Sequence, residues 1–83
     1  MPFEAEFSQR FLRNVKKLPA AVRARITKAV LQILEDPRRG TALVGNLKGL
    51  WRWRVGNYRI IYLIKSEEEL VCFVNLNKRE RIY

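Results

Sequence analysis

The chain has 83 residues, enough for one small domain over 1–83 and no second core. It carries 17 Lys and Arg against 8 Asp and Glu, a net charge of +9, with one cysteine and no histidine. This inventory excludes an internal disulfide, a conventional zinc site and a Ser-His or Cys-His nucleophile, so no cofactor is expected. The charge points to a polyanion: nucleic acid, ribosome, anionic membrane or an acidic protein.

Membrane insertion is not expected, because no apolar run is long enough to span a bilayer. Glu4 and Glu6 interrupt any signal-peptide pattern, so the chain reads as cytoplasmic.

From the start, Phe3, Ala5 and Phe7 alternate with Glu4 and Glu6, which predicts a half-buried strand over Pro2 to Phe7 with solvated edge charges. Ser8 is suited to cap a first helix from about Gln9 to Lys17, with Phe11, Leu12, Val15 and Leu18 at helical spacing. Pro19 ends that helix and opens a second, predicted from about Ala20 to Glu35. Its buried stripe is Val22, Ile26, Ala29, Val30, Ile33 and Leu34. Leu31 falls off the stripe and is expected to be exposed or covered by a partner. Asp36-Pro37 stops the helix, since a residue before proline is pushed out of the α region. Two antiparallel helices joined by a short proline turn make an α-hairpin. Arg38 to Asn46 reads as a loop without secondary-structure period, its Arg38-Arg39 pair solvated.

Gly56-Asn57 then separates two runs of β-branched and aromatic residues, the signature of a two-residue hairpin turn. Such a turn sets Val55 opposite Tyr58, Arg54 opposite Arg59, Trp53 opposite Ile60, Arg52 opposite Ile61 and Trp51 opposite Tyr62. Alternation puts Trp51, Trp53, Val55, Tyr58, Ile60 and Tyr62 on one face and Arg52, Arg54 and Arg59 on the other. Like charges directly across a sheet destabilise it, and no Asp or Glu lies between Lys48 and Tyr62. Charge runs are often plain solvated surface. The missing acids shift the balance toward a face that meets a polyanion.

Ser66-Glu67-Glu68-Glu69 reads as an acidic turn, and Leu70 to Leu76 as a strand apolar on both faces and interior to the sheet. Cys72, alternating within it, is expected to be a buried, inert thiol. The closing Asn77-Lys78-Arg79-Glu80-Arg81-Ile82-Tyr83 sets three cations and a tyrosine directly after that strand.

The order strand, α-hairpin, three antiparallel strands, with Leu-x-Gly-Leu-Trp-Arg-x-Arg-Val-Gly-x-Tyr-Arg-Ile-Ile-Tyr over Leu47 to Tyr62 and Lys-Arg-x-x-Ile-Tyr over Lys78 to Tyr83, resembles the RelE/ParE toxin superfamily of type II toxin–antitoxin systems. The resemblance covers the whole chain. It implies an α+β domain with an N-terminal strand, an α-helical hairpin and antiparallel strands in a four-stranded sheet, the RelE-like microbial RNase fold.

The RelE branch implies a ribosome-dependent mRNA interferase that cuts in the A site and is silenced by an acidic, RelB-like antitoxin in a hetero-oligomer. The ParE branch implies a gyrase inhibitor without RNase activity, and a catalytically decayed relative that only binds RNA or antitoxin is a third reading. Carried over by position, the RelE pattern gives Arg52, Arg54, Arg59, Arg79 and Tyr83 as catalytic residues. Arg81 competes with Arg79 for the late arginine. Many relatives have a histidine where this chain has Lys78.

Metal-independent RNA cleavage uses the ribose 2′-OH as nucleophile on the adjacent phosphorus. It needs a base for that hydroxyl, charge stabilisation for the dianionic transition state and an acid for the leaving 5′-oxygen. The arginine fork suits the middle task and is a poor base. Lys78, Lys48 and the Tyr83 phenol are the titratable groups left as candidates, and Tyr83 suits stacking on a nucleobase better. The candidate RNA-binding set is Lys48, Arg52, Arg54, Arg59, Lys78 and Arg81, and the expected partners are ribosome, messenger RNA and antitoxin.

Overall fold

The computed structural model describes residues 2–78. Strand β1 (Glu4–Phe7) leads into helices α1 (Gln9–Lys16) and α2 (Ala20–Glu35). After them come β2 (Thr41–Ala42), β3 (Leu50–Val55), β4 (Tyr58–Lys65) and β5 (Leu70–Lys78), with short 3-10 turns at Pro37–Arg39, Gly45–Leu47 and Ser66–Glu68. The strands form one sheet in the order β1-β5-β4-β3-β2, parallel between β1 and β5 and antiparallel elsewhere.

The sheet therefore has five strands, not four. The segment expected to be plain loop holds β2, which pairs Thr41 with Arg52 and Ala42 with Trp51. A two-residue strand has no periodicity to read, and it forms because the edge of β3 offers unpaired backbone groups. The strand after the acidic turn is interior, as expected, but runs on to Lys78.

Helix α1 begins where Ser8 accepts a hydrogen bond from the Phe11 N–H at 3.0 Å, a cap that stabilises by about 0.5–2 kcal/mol. The same hydroxyl donates to the Val74 carbonyl at 2.7 Å, so one residue caps α1 and anchors it to β5. Helix α2 turns Ile26, Ala29, Val30 and Ile33 into the core, where they meet Ile60, Tyr62, Val71, Phe73 and Leu76 from the sheet. Phe7 stacks on Phe11 at 5.6 Å and on Phe73 at 5.1 Å, closing the β1 end. Leu31, as expected, is 59% exposed.

The register of β5 slips once. Tyr62 pairs with Phe73 and Ile61 with Asn75, so Val74 is an extra residue, a β-bulge. Beyond it the alternation is inverted. Phe73 and Leu76 both point into the core, three residues apart. Asn75 is buried with its Oδ1 accepting from Asn14 Nδ2 on α1 at 3.0 Å and from the Leu76 N–H at 2.9 Å. A buried polar group is tolerated when it is paired in this way.

Cys72 corrects an expectation: it is half-buried, not buried, and its Sγ donates to Glu6 Oε1 at 3.2 Å. Burial, then the neighbouring Glu6 carboxylate, push the thiol pKa up, away from the reactive thiolate.

Candidate functional site

The β3–β4 hairpin has the register expected from its turn: Val55 pairs with Tyr58, Arg54 with Arg59, Trp53 with Ile60, Arg52 with Ile61 and Trp51 with Tyr62. Gly56 takes φ +57° at the turn, where glycine carries no Cβ penalty. Trp51, Trp53, Val55 and Tyr58 pack against the core, so alternation puts Arg52, Arg54 and Arg59 on the opposite face of the sheet.

The three arginines differ in burial. Arg54 is exposed, and Arg52 and Arg59 are half-buried. Arg59 Nε is buried and has no hydrogen-bond partner among the described residues. A buried donor left unpaired costs about 1–3 kcal/mol, more when charged, and an incoming anionic oxygen would relieve that cost. In the β4–β5 ladder Arg59 pairs with Asn77, a position that residue spacing alone does not single out.

A depression of about 200 Å³ lies next to these residues, lined by Arg39, Gly40, Thr41, Arg52, Trp53 and Arg54. Arg39 belongs to the stretch expected to be solvated loop. Its guanidinium carbon lies 5.7 Å from the centroid of the Trp53 ring, a cation–π contact that brings a fourth arginine to the site.

The segment carrying Arg39 is held from below. The fully buried Tyr62 donates its hydroxyl to the Pro37 carbonyl at 2.7 Å. Gly40 passes so close above it that a Cβ there would collide with Tyr62 Oη and come within 2.9 Å of the Arg52 carbonyl oxygen.

Burial pushes the Tyr62 pKa up to about 12 from 10.0, with a smaller push from the Asp36 charge and an opposing hydrogen bond from the Gly40 backbone. A folded-state pKa above the unfolded one means stability is fully present below pH 10.0 and is lost as pH rises toward about 12. The loss amounts to about 2–3 kcal/mol at 1.36 kcal/mol per pKa unit. Tyr62→Phe is expected to lower stability by about 1–3 kcal/mol near neutral pH, from the unpaired Pro37 carbonyl. The gap between parent and variant should narrow above pH 10, in urea melts taken at successive pH values. A gap that stays constant up to pH 12 would reject the buried phenol as an alkaline weak point.

The structure does not bring every expected residue to this face. Lys78 pairs with Tyr58 on the helix side, its Nζ 6.0 Å from the Tyr58 ring, in a depression shared with Asn14, Lys17 and Leu18. The bulge at Val74 is the cause, because it inverts the alternation of everything that follows. Lys48 is exposed in the turn before β3. Arg79, Arg81 and Tyr83 lie outside the described residues. Among the described residues no group of three or more His, Cys, Asp or Glu could hold a metal ion, and no helix is long and apolar enough to cross a membrane.

A family model described as the ParE toxin of the type II toxin–antitoxin system parDE matches residues 5–83. This chain belongs to the RelE/ParE toxin superfamily. The toxin is 28% identical over 83 residues to the mRNA interferase toxin RelE of Escherichia coli, covering 98% of this chain and 87% of that protein. It is 31% identical over 85 residues to toxin RelG of Mycobacterium tuberculosis, covering 100% and 98%. Its fold superposes on a chain of the toxin–antitoxin complex RelBE2 from Mycobacterium tuberculosis with a TM-score of 0.89 and 27% identity, over 95% of this chain and 93% of that one.

On the helix side the toxin has an apolar depression of about 190 Å³ lined by Phe7, Phe11, Leu12, Val15, Ile26, Thr27 and Val30. Leu12 and Val15 also line a neighbouring one of about 480 Å³ whose rim carries Arg13, Lys16 and Arg23. Leu12 is 51% exposed.

Proposed function

We propose that this toxin is an endoribonuclease that cuts messenger RNA in the ribosomal A site, without a metal. The ribose 2′-oxygen attacks the adjacent phosphorus, the bond from phosphorus to the 5′-oxygen breaks, and a 2′,3′-cyclic phosphate and a 5′-hydroxyl result. The observation that carries this reading is the gathering of Arg52, Arg54 and Arg59 on one face, with Arg59 Nε buried and unpartnered among the described residues. In this reading the three guanidinium groups bind the scissile phosphate and hold the charge that builds on its oxygens.

Neither proton transfer is assigned to the arginines, whose pKa exceeds about 12. Arg79 or Arg81 completes the phosphate clamp, and Tyr83 stacks on a base. Lys78, turned toward Tyr58, fits a role in holding RNA better than a role as base. The ribosome supplies the orientation of messenger and nucleophile, which accounts for much of the acceleration in a site so poor in acid–base groups. The name of the RelE relative, an mRNA interferase, agrees with this reading.

The partner that silences the toxin is an acidic antitoxin. An amphipathic helix would lay its apolar side on Leu12, Val15 and Phe7 and its carboxylates against Arg13, Lys16 and Arg23, with complementary charge speeding association.

The family model's ParE name favours a second reading, inhibition of DNA gyrase by binding alone. Primer extension on a messenger under translation separates the two. Cuts within A-site codons are expected. Their absence, together with lost gyrase supercoiling, would replace the RNase with a gyrase inhibitor.

A further inference from the structure

The arginine face does not end at the sheet edge. Strand β2 covers only Trp51 and Arg52, so β3 is an open edge from Trp53 to Val55. Across that edge, on the helix side, lies a depression of about 330 Å³ lined by Arg25, Lys28, Ala29 and Gln32 of α2 and by Trp53, Arg54, Val55 and Gly56. Trp53 and Arg54 line this depression and also the one beside Arg39 and Arg52, so the two adjoin at these residues. Among the described residues no Asp or Glu lines either of them.

Arg25 lies over the hairpin turn. A Cβ on Gly56 would come within 2.6 Å of its Nη2, so glycine serves both the turn and the approach of this guanidinium. Arg25 and Lys28 are both exposed, three residues apart on α2, one turn of one helix face. Residue periodicity marks them only as lying off the buried stripe. The fold sets them beside Arg54.

We propose that the RNA strand bound at Arg52, Arg54 and Arg59 continues over the open edge of β3, passes the half-buried Trp53, and rests further phosphates on Arg25 and Lys28. The proposal rests on the RNA reading above and deepens it: the substrate is a stretch of single strand longer than the arginine face alone would hold. Cations that track a backbone past an aromatic ring are a common way of holding single strands without reading sequence. An acidic protein segment is the competing occupant, and the single-strand reading is favoured by adjacency to the arginine face and by Trp53, the aromatic that lines both depressions.

The test uses fluorescence anisotropy with uncleavable 2′-O-methyl RNA, one oligonucleotide of roughly four nucleotides and one of roughly sixteen, at salt concentrations from about 50 to 200 mM. The R25Q/K28Q toxin is expected to bind the long RNA about tenfold more weakly at the low-salt end. Its salt slope should be shallower by about 1.4, or 0.7 for each phosphate that is no longer neutralised. Binding of the short RNA should be unchanged, and R25K/K28R should keep the parent slope. Equal affinity and slope for parent and R25Q/K28Q on the long RNA would overturn the proposal. So would a loss confined to binding of the co-expressed antitoxin, which would assign the surface to the acidic protein. The cleavage reading fails separately: A-site cuts absent while the slope difference persists would remove the RNase activity and leave the extended RNA track.

Discussion

Replacing Arg52, Arg54 or Arg59 singly by Ala is expected to lower the single-turnover cleavage rate on ribosomes by about 10²–10³-fold, the usual cost of losing one donor to a developing oxyanion, about 2.7–4 kcal/mol. Growth arrest should disappear in each case. The fold should survive, because all three side chains lie outside the core. Arg54→Ala should melt at or slightly above the parent temperature, since it removes a like charge directly opposite Arg59. Arg59→Lys separates charge from shape: a lysine keeps the cation but not the planar fork, and should recover little activity. Thermal melts beside cleavage assays decide the matter. Full toxicity in all three alanine variants would make the arginine face ordinary surface.

Gly40→Ala is the second large effect expected, and it acts through structure. The new methyl group meets Tyr62 Oη and the Arg52 carbonyl oxygen at once. Neither yields easily, because Tyr62 is fully buried and Arg52 is held in the β2–β3 ladder opposite Thr41. Overpacking of this kind costs about 1–3 kcal/mol, occasionally more, and a domain of this size loses about 4–8 °C of melting temperature per kcal/mol. Cleavage should fall further than stability requires, since the same clash displaces Arg39 and Arg52.

The double variant Gly40→Ala/Tyr62→Phe removes the oxygen nearest the methyl group, so the two changes should be less than additive, with a coupling of about 0.5–3 kcal/mol. Strict additivity would mean that the chain relaxes around residue 40 and that the Tyr62 hydroxyl does not hold this segment in place.

What the residues determine by themselves is whatever depends on near neighbours along the chain. The two-residue turn at Gly56-Asn57 counts the hairpin register outward from itself, and every predicted pair from Val55–Tyr58 to Trp51–Tyr62 is present. Ser8, Pro19 and Asp36-Pro37 bracket the helices because capping and proline geometry are local, and α2 runs from Ala20 to Glu35 as its stripe predicts. The segregation of Arg52, Arg54 and Arg59 from the aromatic face follows from alternation alone.

Only the tertiary structure decides what depends on distant partners. Strand β2 exists because β3 has an edge to pair with. Asn75 is buried because Asn14, 61 residues earlier, meets it. Gly40 is constrained by Tyr62, and Arg39 finds Trp53, across a loop with no period to read. The bulge at Val74 shows the reason most directly. A single extra residue, whose carbonyl is tied to Ser8 at the start of α1, reverses the phase of β5 and carries Lys78 to the helix side. Alternation states which residues share a face only while the phase holds, and β5 shifts phase at Val74, where its carbonyl accepts a hydrogen bond from Ser8, 66 residues earlier.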